Sequence, residues 1–135
     1  GISAAGANTE LIKYTAAADV EAIYFGKAKC LPAIPENPFG PPSPVIISIA
    51  ALKTLKIPYF PINAGLKVKP FTPIIEINNI YGKSLLSGEA LEELDLNQLL
   101  EKTKILAEEL SKSFEFVILG ESVPGGTTTA LALIE

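Results

Sequence analysis

The 135-residue chain is 48% hydrophobic with a mean hydropathy of +0.35, at the apolar end of what single α/β domains show. Its 15 acidic residues outnumber 11 basic ones for a net charge of -4, and every base is lysine. Without arginine there are no bidentate guanidinium forks for guanine or phosphate, so no nucleic-acid partner is expected.

The single cysteine, Cys30, cannot form an internal disulfide, and the absence of histidine removes the usual zinc ligand sets. Neither a metal nor a cofactor is expected. No apolar run approaches the roughly 20 residues that cross a bilayer, so the chain reads as cytoplasmic with no membrane partner. It has no methionine, and both ends read as cuts through a larger architecture. The whole of 1–135 is therefore expected to be one partial α/β domain.

In chain order, Asn8 is a candidate N-cap for a short helix through about Tyr14, and the β-branched and aromatic content of DVEAIYFG then suits a strand. Proline at high density marks 31–44 as a loop, since proline fixes φ and removes a donor. Ser43 and Pro44 supply a cap and first helical position for a helix that puts Val45, Ile49 and Leu52 on one face. IPYFPINAG reads as a strand ending in a glycine turn, made irregular by Pro58 and Pro61, and PIIEI as a second short strand.

The clearest helix follows. Leu96, Leu99, Leu100, Thr103, Leu106, Ala107 and Leu110 recur at the three-and-four spacing of one buried face, and Asp95 with Gln98 resembles a capping box. It leads into FEFVILG, where Phe116 to Leu119 are apolar on successive positions. Both faces of such a strand should be covered, as in a parallel sheet.

The last unit, 114–135, is then strand, loop and helix, with Gly120 to Gly126 as the loop and Thr127 opening the helix. Ligands of open α/β sheets bind at the carboxyl ends of strands, where a helix N-terminus offers unpaired N–H groups to an anion. Gly125 and Gly126 permit close backbone approach, and Thr127, Thr128 and Thr129 add hydroxyls, which suits a phosphate. The same residues serve equally as a tight turn and helix cap. Gly120, Gly125 and Thr127 also fall at Walker A spacing, but Gly126 stands where that motif needs lysine, so an NTPase is not expected.

Other groups have plain readings. Glu121 reads more readily as a solvated loop carboxylate than as a catalytic one, and Cys30 as a small buried or semi-buried residue, because a catalytic thiol wants a histidine. Glu89, Glu92, Glu93 and Asp95 read as a solvated face. Lys27, Lys29, Lys67 and Lys69 could assist a phosphate, though surface lysines seldom do.

GISAAGAN, YTAAADVEAIYFGKA, the GPPSP turn, INAG with KPF, and GESVPGGTTTALALI together resemble an archaeal branch of the nicotinate-nucleotide:dimethylbenzimidazole phosphoribosyltransferase family, over nearly the whole chain. The most specific part is the loop. Bacterial members carry Gly-Glu-Met-Gly-Ile-Gly-Asn-Thr-Thr where this sequence has Gly120 through Thr128, with Gly126 in place of asparagine. The resemblance implies an incomplete Rossmann-like, three-layer α/β domain with a parallel sheet, on the N-terminal side of a larger homo-oligomeric enzyme.

It further implies transfer of 5-phosphoribosyl from nicotinate mononucleotide to a base, forming the lower nucleotide of a cobamide. Gly125, Gly126, Thr127 and Thr128 would hold the phosphate, and Glu121 would stand near the ribosyl group as the catalytic carboxylate. The family's general base lies in its C-terminal half and has no match here, so the chain alone is expected to be inactive. A noncatalytic phosphate- or nucleotide-binding module is the alternative. Leu131, Leu133 and Ile134, lacking the rest of a domain, are expected to promote association.

Overall fold

The computed structural model describes residues 10–31, 44–83, 87–91, 96–124, 131 and 134. These residues form three helices and two parallel strands, a mixed α/β arrangement. No helix among them is long and apolar enough to cross a membrane.

A 3-10 turn, Ile12–Tyr14, runs directly into helix α1, Thr15–Phe25. The expectation of a strand at DVEAIYFG is therefore wrong: Asp19 through Phe25 is the second half of this helix. The alanines at 16, 17, 18 and 22 are the strongest helix formers, and Val20 and Ile23 alone are too few to reverse them. Ala16, Ala17 and Glu21 make the buried face, and its small side chains allow the close approach of helix α2. Gly26, at φ 77°, ends α1 by donating its N–H to Ala22 O at 2.9 Å. Asn8 lies outside the described residues.

Helix α2 is Val45–Leu55, with Pro44 at its cap position. Ser43 and most of the 31–44 loop lie outside the described residues. Val45, Ile49 and Leu52 are half-buried while the rest of α2 is exposed, which bears out the face read from spacing. Lys56 ends the helix at φ 52°, a left-handed position that usually falls to glycine.

Strand β1, Ile62–Ala64, is shorter than IPYFPINAG because Pro58 and Pro61 lack N–H groups for a ladder. Pro61 takes part through its carbonyl, which accepts the Ile75 N–H at 2.9 Å. Strand β2, Ile75–Asn78, pairs with β1 in parallel: Ile62 faces Ile75, Asn63 faces Glu76, and an irregularity then brings Ala64 opposite Asn78. The irregularity leaves Ile77 unmatched and buried.

Helix α3, Leu96–Ser113, starts where the capping pattern placed it and lies against β2, with Lys102 Nζ donating to Ile77 O at 3.3 Å. Asp95 lies outside the described residues. The single buried face expected here is only partly covered. Leu99, Leu106 and Leu110 are half-buried, whereas Leu96, Leu100, Thr103 and Ala107 are exposed.

Beyond α3 the Phe114 ring meets Phe60 edge-on at 5.6 Å, and residues 116–120 run on without a ladder partner among the described residues. The buried strand expected at FEFVILG is therefore an exposed segment: no described element lies alongside to cover it. Leu131 and Ile134 are exposed too.

Two backbone positions should respond to substitution with opposite signs. A Cβ on Gly65, at φ 134°, would sit 2.6 Å from Ile80 O. Gly65→Ala should destabilise by about 1–3 kcal/mol in urea denaturation. Lys56→Gly should stabilise by up to about 1 kcal/mol, because it removes left-handed strain from an exposed site.

Candidate functional site

Of the site residues expected from sequence, Glu121 is described and solvent-exposed. Gly125, Gly126, Thr127 and Thr128 lie outside the described residues. What the structure does locate is the segment leading into them. Ser122 Oγ donates to Asp19 Oδ2 at 2.8 Å, joining residues 103 positions apart and setting the loop entrance beside α1. Tyr59 lies near the same carboxylate: burial pushes its phenol up, and the Asp19 charge adds to the shift.

Two residues along the same helix, Glu21 is completely buried. Its Oε1 accepts the Phe71 N–H at 2.8 Å, and its Oε2 accepts the N–H groups of Cys30, at 2.7 Å, and Lys29. Burial pushes this carboxyl up, but the backbone donors of Phe71, Cys30 and Lys29 outweigh it and hold the group below its ordinary 4.5. One carboxylate thus ties α1, the turn after it and the 69–71 segment together. Cys30 beside it is half-buried, and burial with the Glu21 charge raises its thiol to about 11. A thiol so protonated is no nucleophile at neutral pH, in keeping with its plain reading.

Among the described residues the other fully buried polar side chain is Asn63 in β1. Its Oδ1 accepts the N–H groups of Gly65 at 2.9 Å and Leu66 at 2.7 Å, closing an Asx turn at the strand's carboxyl end. Its Nδ2 donates to Glu76 Oε2 at 2.6 Å and to Asn79 Oδ1 at 3.2 Å. Glu76 also pairs with Lys69 at 2.9 Å, and that pair with the Asn63 donor holds its carboxyl below the ordinary range. Asn78 Nδ2 caps the same edge by donating to Ile80 O at 3.0 Å and Ala64 O at 3.3 Å. The carboxyl ends of both strands are thereby closed into rigid turns.

Of the lysines considered for a phosphate, Lys69 is paired with Glu76, Lys67 lies 5.1 Å from the Tyr81 ring, and Lys29 lies 3.4 Å from the Phe25 ring. Glu89 is exposed, as its plain reading requires; Glu92, Glu93 and Asp95 lie outside the described residues. Among the described residues no three acidic or sulfur groups are placed to hold a metal ion. Thr72 Oγ1 is the one buried side-chain polar atom among them without a partner. Sequence reasoning missed Glu21 and Asn63. Asn63 was detectable, because Asn two residues before Gly at a strand end is an Asx-turn signal; Glu21 was not, because nothing local marks a helix carboxylate whose donors come from a distant turn.

Both groups make measurable predictions. Glu21→Gln should cost on the order of 2–3 kcal/mol at pH 7, since an amide NH₂ would face backbone donors. Because the folded carboxyl is depressed, its contribution is complete above about 4.5 and lost as pH falls through the folded value. The gap between wild type and variant in urea denaturation should therefore stay constant from pH 7 to about 5 and narrow below that. Iodoacetamide at pH 8 should alkylate Cys30 roughly 100-fold more slowly than a free thiol, followed by mass spectrometry.

No family model matches the chain. It is similar to the UPF0284 protein of Archaeoglobus fulgidus, 42% identical over 135 residues, which are 100% of this chain and 40% of that protein. The UPF0284 protein of Methanopyrus kandleri is 42% identical over 134 residues, 99% of this chain and 35% of that one. For the UPF0284 protein of Sulfurisphaera tokodaii the figures are 40% over 134 residues, 99% and 39%. The chain therefore spans about 40% of the length of the curated archaeal relatives it matches.

Proposed function

We propose that the chain is the N-terminal side of a Rossmann-like phosphoribosyltransferase that moves 5-phosphoribosyl from nicotinate mononucleotide to a base, in the synthesis of a cobamide lower ligand. One observation carries this reading beyond motif similarity. Four of the stretches that bear the resemblance are joined in space by side-chain hydrogen bonds. Glu21, in YTAAADVEAIYFGKA, accepts from Phe71 of KPF. Asn63, in INAG, reaches Lys69 of KPF through Glu76. Ser122, in GESVPGG, bonds Asp19 of YTAAADVEAIYFGKA. Motifs scattered over 14–122 make one connected unit, as parts of a common site would.

In this reading the backbone of Gly125 and Gly126 with the hydroxyls of Thr127 and Thr128 anchors the donor phosphate. The C–N bond to nicotinate breaks with its electron pair leaving on the nicotinate nitrogen, and oxocarbenium-like charge builds at the anomeric carbon. Glu121, open to solvent at the loop entrance, offers a carboxylate to that charge. The acceptor nitrogen then attacks the anomeric carbon, and its proton passes to a base in the part of the longer relatives that this chain does not span.

The test is turnover. This chain and the full-length Archaeoglobus fulgidus protein are incubated with nicotinate mononucleotide and a panel of benzimidazoles and purines. Release of nicotinate with a new ribotide by the longer protein, and none by this chain, is expected. Tight nucleotide binding by the longer protein without nicotinate release, whatever the base, leaves a noncatalytic binding module instead. At the phosphate, calorimetry on the full-length protein carrying this sequence separates the contributions. Gly126→Val should abolish detectable nucleotide binding by blocking backbone approach, whereas Thr127→Ala should cost only about 0.5–1.5 kcal/mol.

A further inference from the structure

We infer that residues 116–120 are an interior strand of a larger parallel sheet, and that α/β units of the polypeptide by which the relatives exceed this chain cover its edge and both its faces. In a β-strand side chains alternate, which would put Phe116 and Ile118 on one face and Val117 and Leu119 on the other. Their exposures are 81%, 85%, 48% and 85% in that order. Apolar surface on both sides of one strand is the pattern of a strand enclosed between layers, not of an edge facing water.

The segment is also held in place. Phe114 rests on Phe60 just before it, and Ser122 is bonded to Asp19 just after it. Helix α1 and the connection between α2 and β1 thus fix its ends, while no backbone hydrogen bond to 116–120 is formed among the described residues. Strands that end a sheet naturally carry a charge, a proline or a bulge that blocks further pairing. Here the charges, Glu115 and Glu121, stand outside the apolar run, and no proline interrupts it. The strand is left competent to pair.

The geometry selects the occupant. A second copy related by a two-fold axis would meet the same strand antiparallel, and it would extend the sheet while leaving the two apolar faces open. Covering an edge and two faces together needs strand-and-helix units, as parallel sheets are built. The whole of this chain aligns with 40% of the Archaeoglobus fulgidus protein, so that protein carries more than enough further polypeptide to supply them. The exposed side chains Leu96, Leu100 and Ile105 on α3 are further apolar surface of the same kind. The inference stands whether or not the enzymatic reading holds.

Hydrogen exchange followed by mass spectrometry tests it on two proteins, this chain and the Archaeoglobus fulgidus relative. In this chain the 116–120 amides should exchange at unprotected rates, and in the relative the aligned peptide should be slowed at least about 100-fold. Fast exchange of that peptide in the relative, while its other strands are protected, overturns the inference. So does concentration-dependent protection of 116–120 in this chain alone together with a dimeric mass by light scattering, which would make a second copy the occupant. A chimera in which this chain replaces the aligned part of the relative gives a third reading, and Ile118→Lys in it should raise the 116–120 exchange rate at least about 10-fold.

Discussion

Three backbone N–H groups, on Lys29, Cys30 and Phe71, converge on the carboxylate of Glu21, which no solvent reaches. A buried carboxylate is tolerable only where hydrogen bonds replace its hydration, and no side-chain cation is among its partners here. Glu21 must therefore hold α1, the turn after Gly26 and the 69–71 segment in register, or be left as an uncompensated charge. The penalty for breaking such an arrangement exceeds the gain from making it. That asymmetry gives one side chain control over contacts 50 positions apart.

Polar bridges carry so much because apolar packing carries so little. Ala16, Ala17, Pro70 and Ile77 are the buried apolar residues among the described residues, while Ile46, Ile47, Leu96, Leu100, Phe116, Ile118 and Leu119 lie exposed. Asn63 does for the strand ends what Glu21 does for the helix. With both donors and its acceptor engaged, it closes the β1 turn and ties it to Glu76 and Asn79. The rigidity needed to position a loop such as 120–124 thus comes from a few hydrogen-bonded side chains.

How far the fold was legible follows from what each pattern encodes. The α2 face and the start of α3 could be read because three-and-four spacing and capping are properties of the helix itself. Helix α1 was misread because Ile23, Tyr24 and Phe25 suggested a strand, while the alanines that decide the matter carry no periodicity. FEFVILG was read as a buried strand from its apolar run, whereas residues 116–120 lie exposed and form no strand among the described residues, because its partners are not among them. At the site, the Asx turn of Asn63 was local and readable. The role of Glu21 was not, because its donors are brought to it by tertiary structure.

The same economy of charge shapes how a phosphate could be held. Lys69 is neutralised by Glu76, and Lys29 and Lys67 lie over the Phe25 and Tyr81 rings, so these three ammonium groups are not idle charges awaiting an anion. Bringing any of them to a phosphate would first break an existing contact. In a chain of net charge -4 without arginine, long-range attraction does not favour a polyanion either. A monophosphate is a different matter, since backbone N–H groups at a helix start neutralise it at contact range and need no free lysine. Recognition built in the way proposed for Gly125 and Gly126 would depend on close backbone approach more than on Coulomb attraction, and its affinity should respond weakly to salt.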